Sequence, residues 1–347
     1  MSASKPQESG EVRIEPSLNK NEAEFIDGRR KSFLQSLKKL QIECSQNEVP
    51  NIALLGSGGG QRAMVGLLGS LVQLQKTGLL DYILNLSGVS GSTWCMASLY
   101  QEPDWSTKLE TVKDKIIQRF SGPEVSWKEA FAKLKKYYGK DHFSLTDIWA
   151  VMVITTFVKE IDEHTLTEQW SQQSKDGKVP FPIYTVIDKK CKHHNIGDPW
   201  FEITPHEAGY SLTRAFVDAS NFGSKFHKGS KKNQQDEFDM LYLQALCGSA
   251  LADEVEIEKL LWQKIKDLSG GKIHLERLRI IDKKAEKLNL KSYTMDARRG
   301  REKHNGQKSK PYSRANCRSK PQSAMEETSD NRVSPQRYPN ERSMVSS

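Results

Sequence analysis

Gly56-Ser57-Gly58-Gly59-Gly60-Gln61-Arg62-Ala63 and, about 30 residues later, Gly88-Val89-Ser90-Gly91-Ser92-Thr93-Trp94 decide how this 347-residue chain is read. Each stretch follows a short apolar run and opens a run with helical spacing. Pro50 to Leu55 and Tyr82 to Ser87 are read as buried strands, and Val65 to Leu74 as a helix. Strand, turn, helix, strand, turn, helix is a right-handed crossover unit, which brings both glycine turns to the same sheet edge.

The chemistry of the turns follows from their residue types. Gly58 to Gly60 carry no Cβ, so the backbone can take positive φ and approach a ligand closely. Their N–H groups would lie where a helix begins, which favours negative charge, and an oxyanion donor there is worth roughly 3 kcal/mol. Ser90 between Gly88 and Gly91 suits a strained strand-to-helix elbow, although Ser92 stands where G-x-S-x-G has its last glycine. An oxyanion turn followed by a serine elbow is the front half of a serine acyl hydrolase. A P-loop is excluded because no Gly-Lys-Ser/Thr follows. Gly58, Gly60 and Ala63 fit G-x-G-x-x-A, but Asp81 precedes the second strand instead of ending it, against a dinucleotide site.

The two turns resemble those of the group IV cytosolic phospholipase A2 family, most of all its gamma branch. The resemblance continues in Phe143 to Ala150, Trp200 to His206, Ala215 to Asp218, Phe222 to Phe226 and Gly248 to Ala250, and covers roughly residues 30 to 265. It implies an α/β chain with a patatin-like, cytosolic phospholipase A2 catalytic-domain fold, three layers around a central mixed sheet, incomplete on its C-terminal side. It also implies a role for each matching residue: Ser90 as nucleophile on a phospholipid ester, Gly59 and Gly60 as oxyanion hole, and Arg62 as holder of the substrate phosphate. A guanidinium suits that task by charge and planar geometry. The implied activity is calcium-independent release of a fatty acid at a phospholipid membrane surface, with lysophospholipase activity allowed. The resemblance calls for no cofactor and no metal.

In this family the serine works with an aspartate in a D-x-G segment, and the sequence contains none. Asp218 falls in a different family block, and Asp176-Gly177 lies in a polar loop, so no catalytic aspartate is assigned. Similarity fades near residues 265 to 290. Beyond it, residues 291–347 hold no Leu, Ile, Phe or Trp, and 13 Lys/Arg against 6 Asp/Glu. That composition cannot bury enough surface to order itself. The expected organisation is a flexible lead over 1–25, a partial catalytic domain over 26–290 and a basic disordered tail over 291–347. A truncated or spliced product, or a gene-model error of the same appearance, would explain the tail. Loss of the base would remove most of the rate. The alternative reading is a non-catalytic lipid-binding or interfering isoform. Exposed strand edges and marginal stability are expected to follow from truncation.

The net charge of +8 resides almost wholly in the tail, without interleaved aromatic residues beyond a few tyrosines, so no specific nucleic-acid partner is expected. Five widely spaced cysteines suit a reducing compartment. Cys191-Lys192-His193-His194 lacks a second ligand pair and is read as a solvated loop. No signal peptide or prenylation box is recognised, so the expected location is cytoplasmic, with peripheral association to intracellular membranes. Ser144 to Asp147 has the spacing of a helix cap, opening a helix apolar on nearly every side; a buried core helix is favoured over a lipid-facing cap. Pro180 to Ile187 and Trp200 to Thr204 are read as strands, Asp239 to Leu251 as a closely packed helix, and 253–290 as an amphipathic helical stretch.

Overall fold

The computed structural model describes residues 12–249 apart from 141–142, 175, 189–199, 228–229 and 234. The chain divides into two compact units, Met1–Arg279 and Ile280–Ser347, and every described residue belongs to the first. The amphipathic stretch 253–290, the basic tail and the Cys191–His194 loop lie outside the described residues.

Seven strands form one mixed sheet: β1 (Arg13–Ile14), β2 (Ala53–Gly56), β3 (Asn85–Val89), β4 (Phe181–Ile187), β5 (Trp200–Ile203), β6 (Glu207–Tyr210) and β7 (Ala215–Asp218). Their order is β1-β7-β6-β5-β4-β3-β2. β2, β3 and β4 run parallel, and every pairing from β4 outward to β1 is antiparallel. A separate hairpin joins β8 (Lys225–His227) to β9 (Ser230–Asn233). The helices are α1 (Lys20–Lys39), α2 (Gln61–Lys76), α3 (Gly91–Tyr100), α4 (Leu109–Ser121), α5 (Trp127–Tyr138), α6 (Leu145–Trp149), α7 (Thr155–Val158), α8 (Leu166–Ser171) and α9 (Met240–Gly248). A π-helical turn, Ala150–Ile154, joins α6 to α7.

β4 is an inner strand, between β3 and β5, and shows the layering by alternation. Phe181 faces α1, in a cluster with Ile26, Phe33, Val49 and Leu84. Tyr184, three positions on, points to the opposite face toward Cys95 of α3 and Cys247 of α9. Pro182 is tolerated in this inner strand for a geometric reason. Phe181 N donates to Leu84 O on the β3 side, so the missing N–H of Pro182 would point the other way, and β5 pairs only from Tyr184 onward.

The helices follow their apolar spacing. α2 buries Met64, Leu67, Leu68, Leu71 and Val72, a single stripe at helical period. α3 is buried at every one of its ten positions, so it is a core helix. Ser144 N and Oγ both donate to Asp147 Oδ2, at 2.6 and 2.8 Å, which starts α6 as its spacing predicts. Ile148 to Ile154 are all buried, which favours the core reading over a lipid-facing one.

Three local expectations are corrected. Pro50 to Leu55, read as a buried strand, yields β2 at the edge of the described sheet, with Leu55 exposed. Tyr82 belongs to a short 3-10 turn, Leu79–Tyr82, so β3 begins only at Asn85. Within the stretch read as a flexible lead, Arg13 and Ile14 pair with Phe216 and Ala215 of β7, and α1 begins at Lys20. Arg13 explains the attachment, since its Nε and Nη2 donate to the two carboxylate oxygens of Glu207 at 3.0 and 2.6 Å. Arg29 of α1 is a second anchor. It is 1% exposed and donates to the carbonyls of Leu80, Ile83, Gly177 and Lys178, gripping the chain just before β3 and just before β4.

Candidate active site

β2 and β3 are parallel with Gly56 opposite Gly88, so both glycine turns leave the sheet at the same end. Gly59 has φ +141. Gly60 caps α2 with φ +60 and ψ −141, a backbone conformation open to glycine and costly for other residues. Neither Gly59 nor Gly60 has its N–H hydrogen-bonded among the described residues. Ser90 caps α3 with φ +56 and ψ −129. A non-glycine residue held there is strained by about 1–3 kcal/mol, so the surroundings must enforce it.

They do so by direct contact between the turns. A Cβ on Gly91 would lie 1.9 Å from Gly60 O, which leaves glycine as the residue that lets the two backbones touch. Ser92, the departure from the elbow pattern, ties the turns together: its Oγ donates to Ser57 O at 2.6 Å. Gly56 makes room for it, since a Cβ there would stand 2.7 Å from the Ser92 side chain. Thr93 Oγ1 donates to Ser90 O at 2.5 Å and closes the first turn of α3.

Ser90 is 7% exposed, and its Oγ donates to Gly248 O, the carbonyl end of α9, at 3.3 Å. No carboxylate, imidazole or amine is hydrogen-bonded to Ser90 Oγ among the described residues. Arg62 is the exposed second residue of α2 and makes no hydrogen bond or ion pair among the described residues. Its neighbour Gln61 donates from Nε2 to Phe157 O at 2.8 Å, which ties the start of α2 to α7.

The aspartates considered in the sequence serve other ends. Asp218 Oδ1 accepts from Ser220 N and Oγ at 2.9 and 2.5 Å, capping the turn after β7. β7 stands four places from β3 in the sheet, about 19 Å at ordinary strand spacing. Gly177, next to Asp176, gives its carbonyl to Arg29 at 2.8 Å. Asp162 is buried and binds Gln101 Nε2, Gln169 Nε2 and His164 Nδ1, and this last contact raises the His164 pKa. That group sits beside the start of α9, where Leu241 N donates to Asp162 O, and Ser90 lies at the other end of the helix. Sequence reasoning missed Gly248 as the partner of Ser90. The Gly248-Ser249-Ala250 patch signalled close packing without saying against what.

Residues 52–254 match the family model described as a lysophospholipase catalytic domain. Human cytosolic phospholipase A2 gamma is 37% identical over 265 residues, covering 75% of this chain and 48% of that protein. The mouse gamma protein is 32% identical over 283 residues, covering 80% and 46%. Human GIVD cytosolic phospholipase A2, solved in complex with methyl gamma-linolenyl fluorophosphonate, superimposes with a TM-score of 0.61 at 30% identity, over 75% of this chain and 39% of that one. The chain spans about half the length of the curated relatives it matches. With the family model matched over residues 52–254 and 37% identity to the human gamma protein, the chain belongs to the cytosolic phospholipase A2 family and carries lysophospholipase catalytic-domain sequence.

Proposed function

We propose that this chain presents the nucleophile and oxyanion hole of a phospholipase A2 or lysophospholipase. The observation that carries the reading is the contact of the two turns: Ser90 at positive φ, with Gly91 pressed against the Gly60 carbonyl. Ser90 Oγ attacks the ester carbonyl carbon, and the oxygen that gains charge is received by the N–H groups of Gly59 and Gly60. Collapse breaks the bond to the glycerol oxygen, which leaves as the lysophospholipid alcohol. Water then attacks the acyl-serine and frees the fatty acid. Arg62 faces the phosphate. No step calls on calcium. Val65, 52% exposed, lies three residues after the exposed Arg62 on the same face of α2, an apolar side chain beside a cation that suits a phospholipid surface.

Ser90 must lose a proton as it attacks, and the Gly248 carbonyl is not a base. The reading therefore requires a proton acceptor outside the described residues. That same hydrogen bond favours a second reading, in which the chain binds lipid without turnover. The experiment is fatty-acid release from mixed phospholipid vesicles with calcium chelated, alongside labelling by an alkyl fluorophosphonate, whose phosphorus a serine oxygen attacks with loss of fluoride. Release and labelling that both vanish with Ser90→Ala support the first reading. Vesicle binding without either supports the second.

A further inference from the structure

The carbonyl end of α9 lies against the Ser90 hydroxyl, and neither glycine turn requires it there. The approach depends on position 248 having no side chain. A Cβ on Gly248 would stand 2.6 Å from Trp94 Nε1 and 3.0 Å from two more indole atoms. Trp94 is itself held: Nε1 donates to Gln244 O at 2.9 Å, one turn earlier in α9, and its ring stacks on Phe157 at 5.7 Å between centroids. The far end of α9 is pinned as well. Asp239 caps it, accepting from Tyr242 N at 2.9 Å, Lys133 Nζ at 2.6 Å and Tyr137 OH at 2.5 Å. Lys133 and Asp239 are both buried, so moving α9 along its axis would break an enclosed ion pair.

We propose that Gly248 is a positioning residue for Ser90, its carbonyl fixing the direction of the hydroxyl proton and so of the lone pairs offered to substrate. The inference rests on Ser90 being the nucleophile. A backbone carbonyl accepts a hydrogen bond without taking the proton, so it orients Oγ and favours its protonated form. The start of α3 acts in the opposite sense, because a helix N-terminus favours negative charge on the same atom. Ser90 thus sits between the positive end of one helix and the negative end of another, and the distance to α9 sets the balance.

Ser90→Cys turns that balance into a measurement that needs no ester turnover. The pH dependence of iodoacetamide alkylation at position 90, followed by peptide mass spectrometry, has a midpoint that reports thiol ionisation and a plateau that reports access. Adding Gly248→Ala should move the midpoint to lower pH, since the carbonyl no longer favours the thiol. Adding Trp94→Phe as well, which removes the indole edge that the new Cβ meets, should move it back. Equal midpoints in all three folded variants would overturn the proposal, as would a shift that Trp94→Phe fails to reverse. If Gly248→Ala does not fold, Tyr137→Phe loosens the far end of α9 without adding volume and must shift the midpoint the same way; no shift there refutes the proposal too. A chain that releases no fatty acid and is not labelled by fluorophosphonate would count against the proposed function alone.

Discussion

Replacing Arg29 by Met keeps the buried aliphatic stem and removes only the guanidinium, so it isolates what the four gripped carbonyls contribute. Burial pulls the Arg29 pKa down from 12.5 to about 10, a penalty of about 3 kcal/mol on the charged form. Against it stand hydrogen bonds to the carbonyls of Leu80, Ile83, Gly177 and Lys178, each worth about 1.5 kcal/mol from a charged donor. The balance favours arginine by about 3 kcal/mol, and Arg29→Met forfeits it, leaving enclosed carbonyls without a donor. Equilibrium urea unfolding followed by tryptophan fluorescence should show a midpoint lower by about 1 M at an m-value of about 3 kcal/mol/M. Arg29→Lys, with three donors on a point charge, should recover only part of the loss. A variant within about 1 kcal/mol of the parent would refute the reasoning, because four enclosed carbonyls would then have found other donors at little cost.

Other outcomes follow from named contacts. Burial, with Glu207 and Glu202 nearby and Arg13 opposing them, raises the Glu22 pKa from 4.5 to about 7. The folded state therefore holds this proton where the unfolded chain has lost it. Stability should fall as pH rises from 4.5 through 7 and level off above, by at most about 3 kcal/mol; Glu22→Gln should flatten that slope in melts taken between pH 5 and 8. Gly91→Ala drives a Cβ into the Gly60 carbonyl, so fluorophosphonate labelling should disappear and the melting temperature drop. Gly66→Ala, which meets nothing within 4 Å, should instead stabilise α2 by about 0.5–1 kcal/mol. Val65→Asp should weaken vesicle sedimentation without changing the melting temperature by more than a few degrees, and unaltered binding would remove this apolar contact from the proposal.

What could be read from the residues alone was whatever a local pattern encodes. The glycine turns, the α2 stripe, the Ser144 cap and the uniformly apolar run after it all carry their structure within a dozen neighbours. What escaped depends on distant partners. Arg13 and Ile14 have no strand signal of their own and become β1 only because β7 offers an edge and Glu207 a carboxylate. Arg29 looks like any basic helix residue until its carbonyl partners arrive from two separate segments. Gly248 could be recognised as a site of close packing, but Ser90 lies 158 residues earlier, and no local pattern links them.

The sheet also has an order in time. β1 leaves the ribosome before the other six described strands, and its place is beside β7, the last of the seven in sequence. About 200 residues of synthesis separate the two, on the order of 10–40 s at roughly 5–20 residues per second. For nearly all of that interval Arg13 lacks the Glu207 carboxylate, whereas α1 meets Leu84 and Phe181 well before it ends. Of the seven described strands β1 is therefore the last to be paired, and a nascent chain halted before Glu207 should leave Arg13 and Ile14 open to protease while α1 and the crossover of β2, α2 and β3 are already protected.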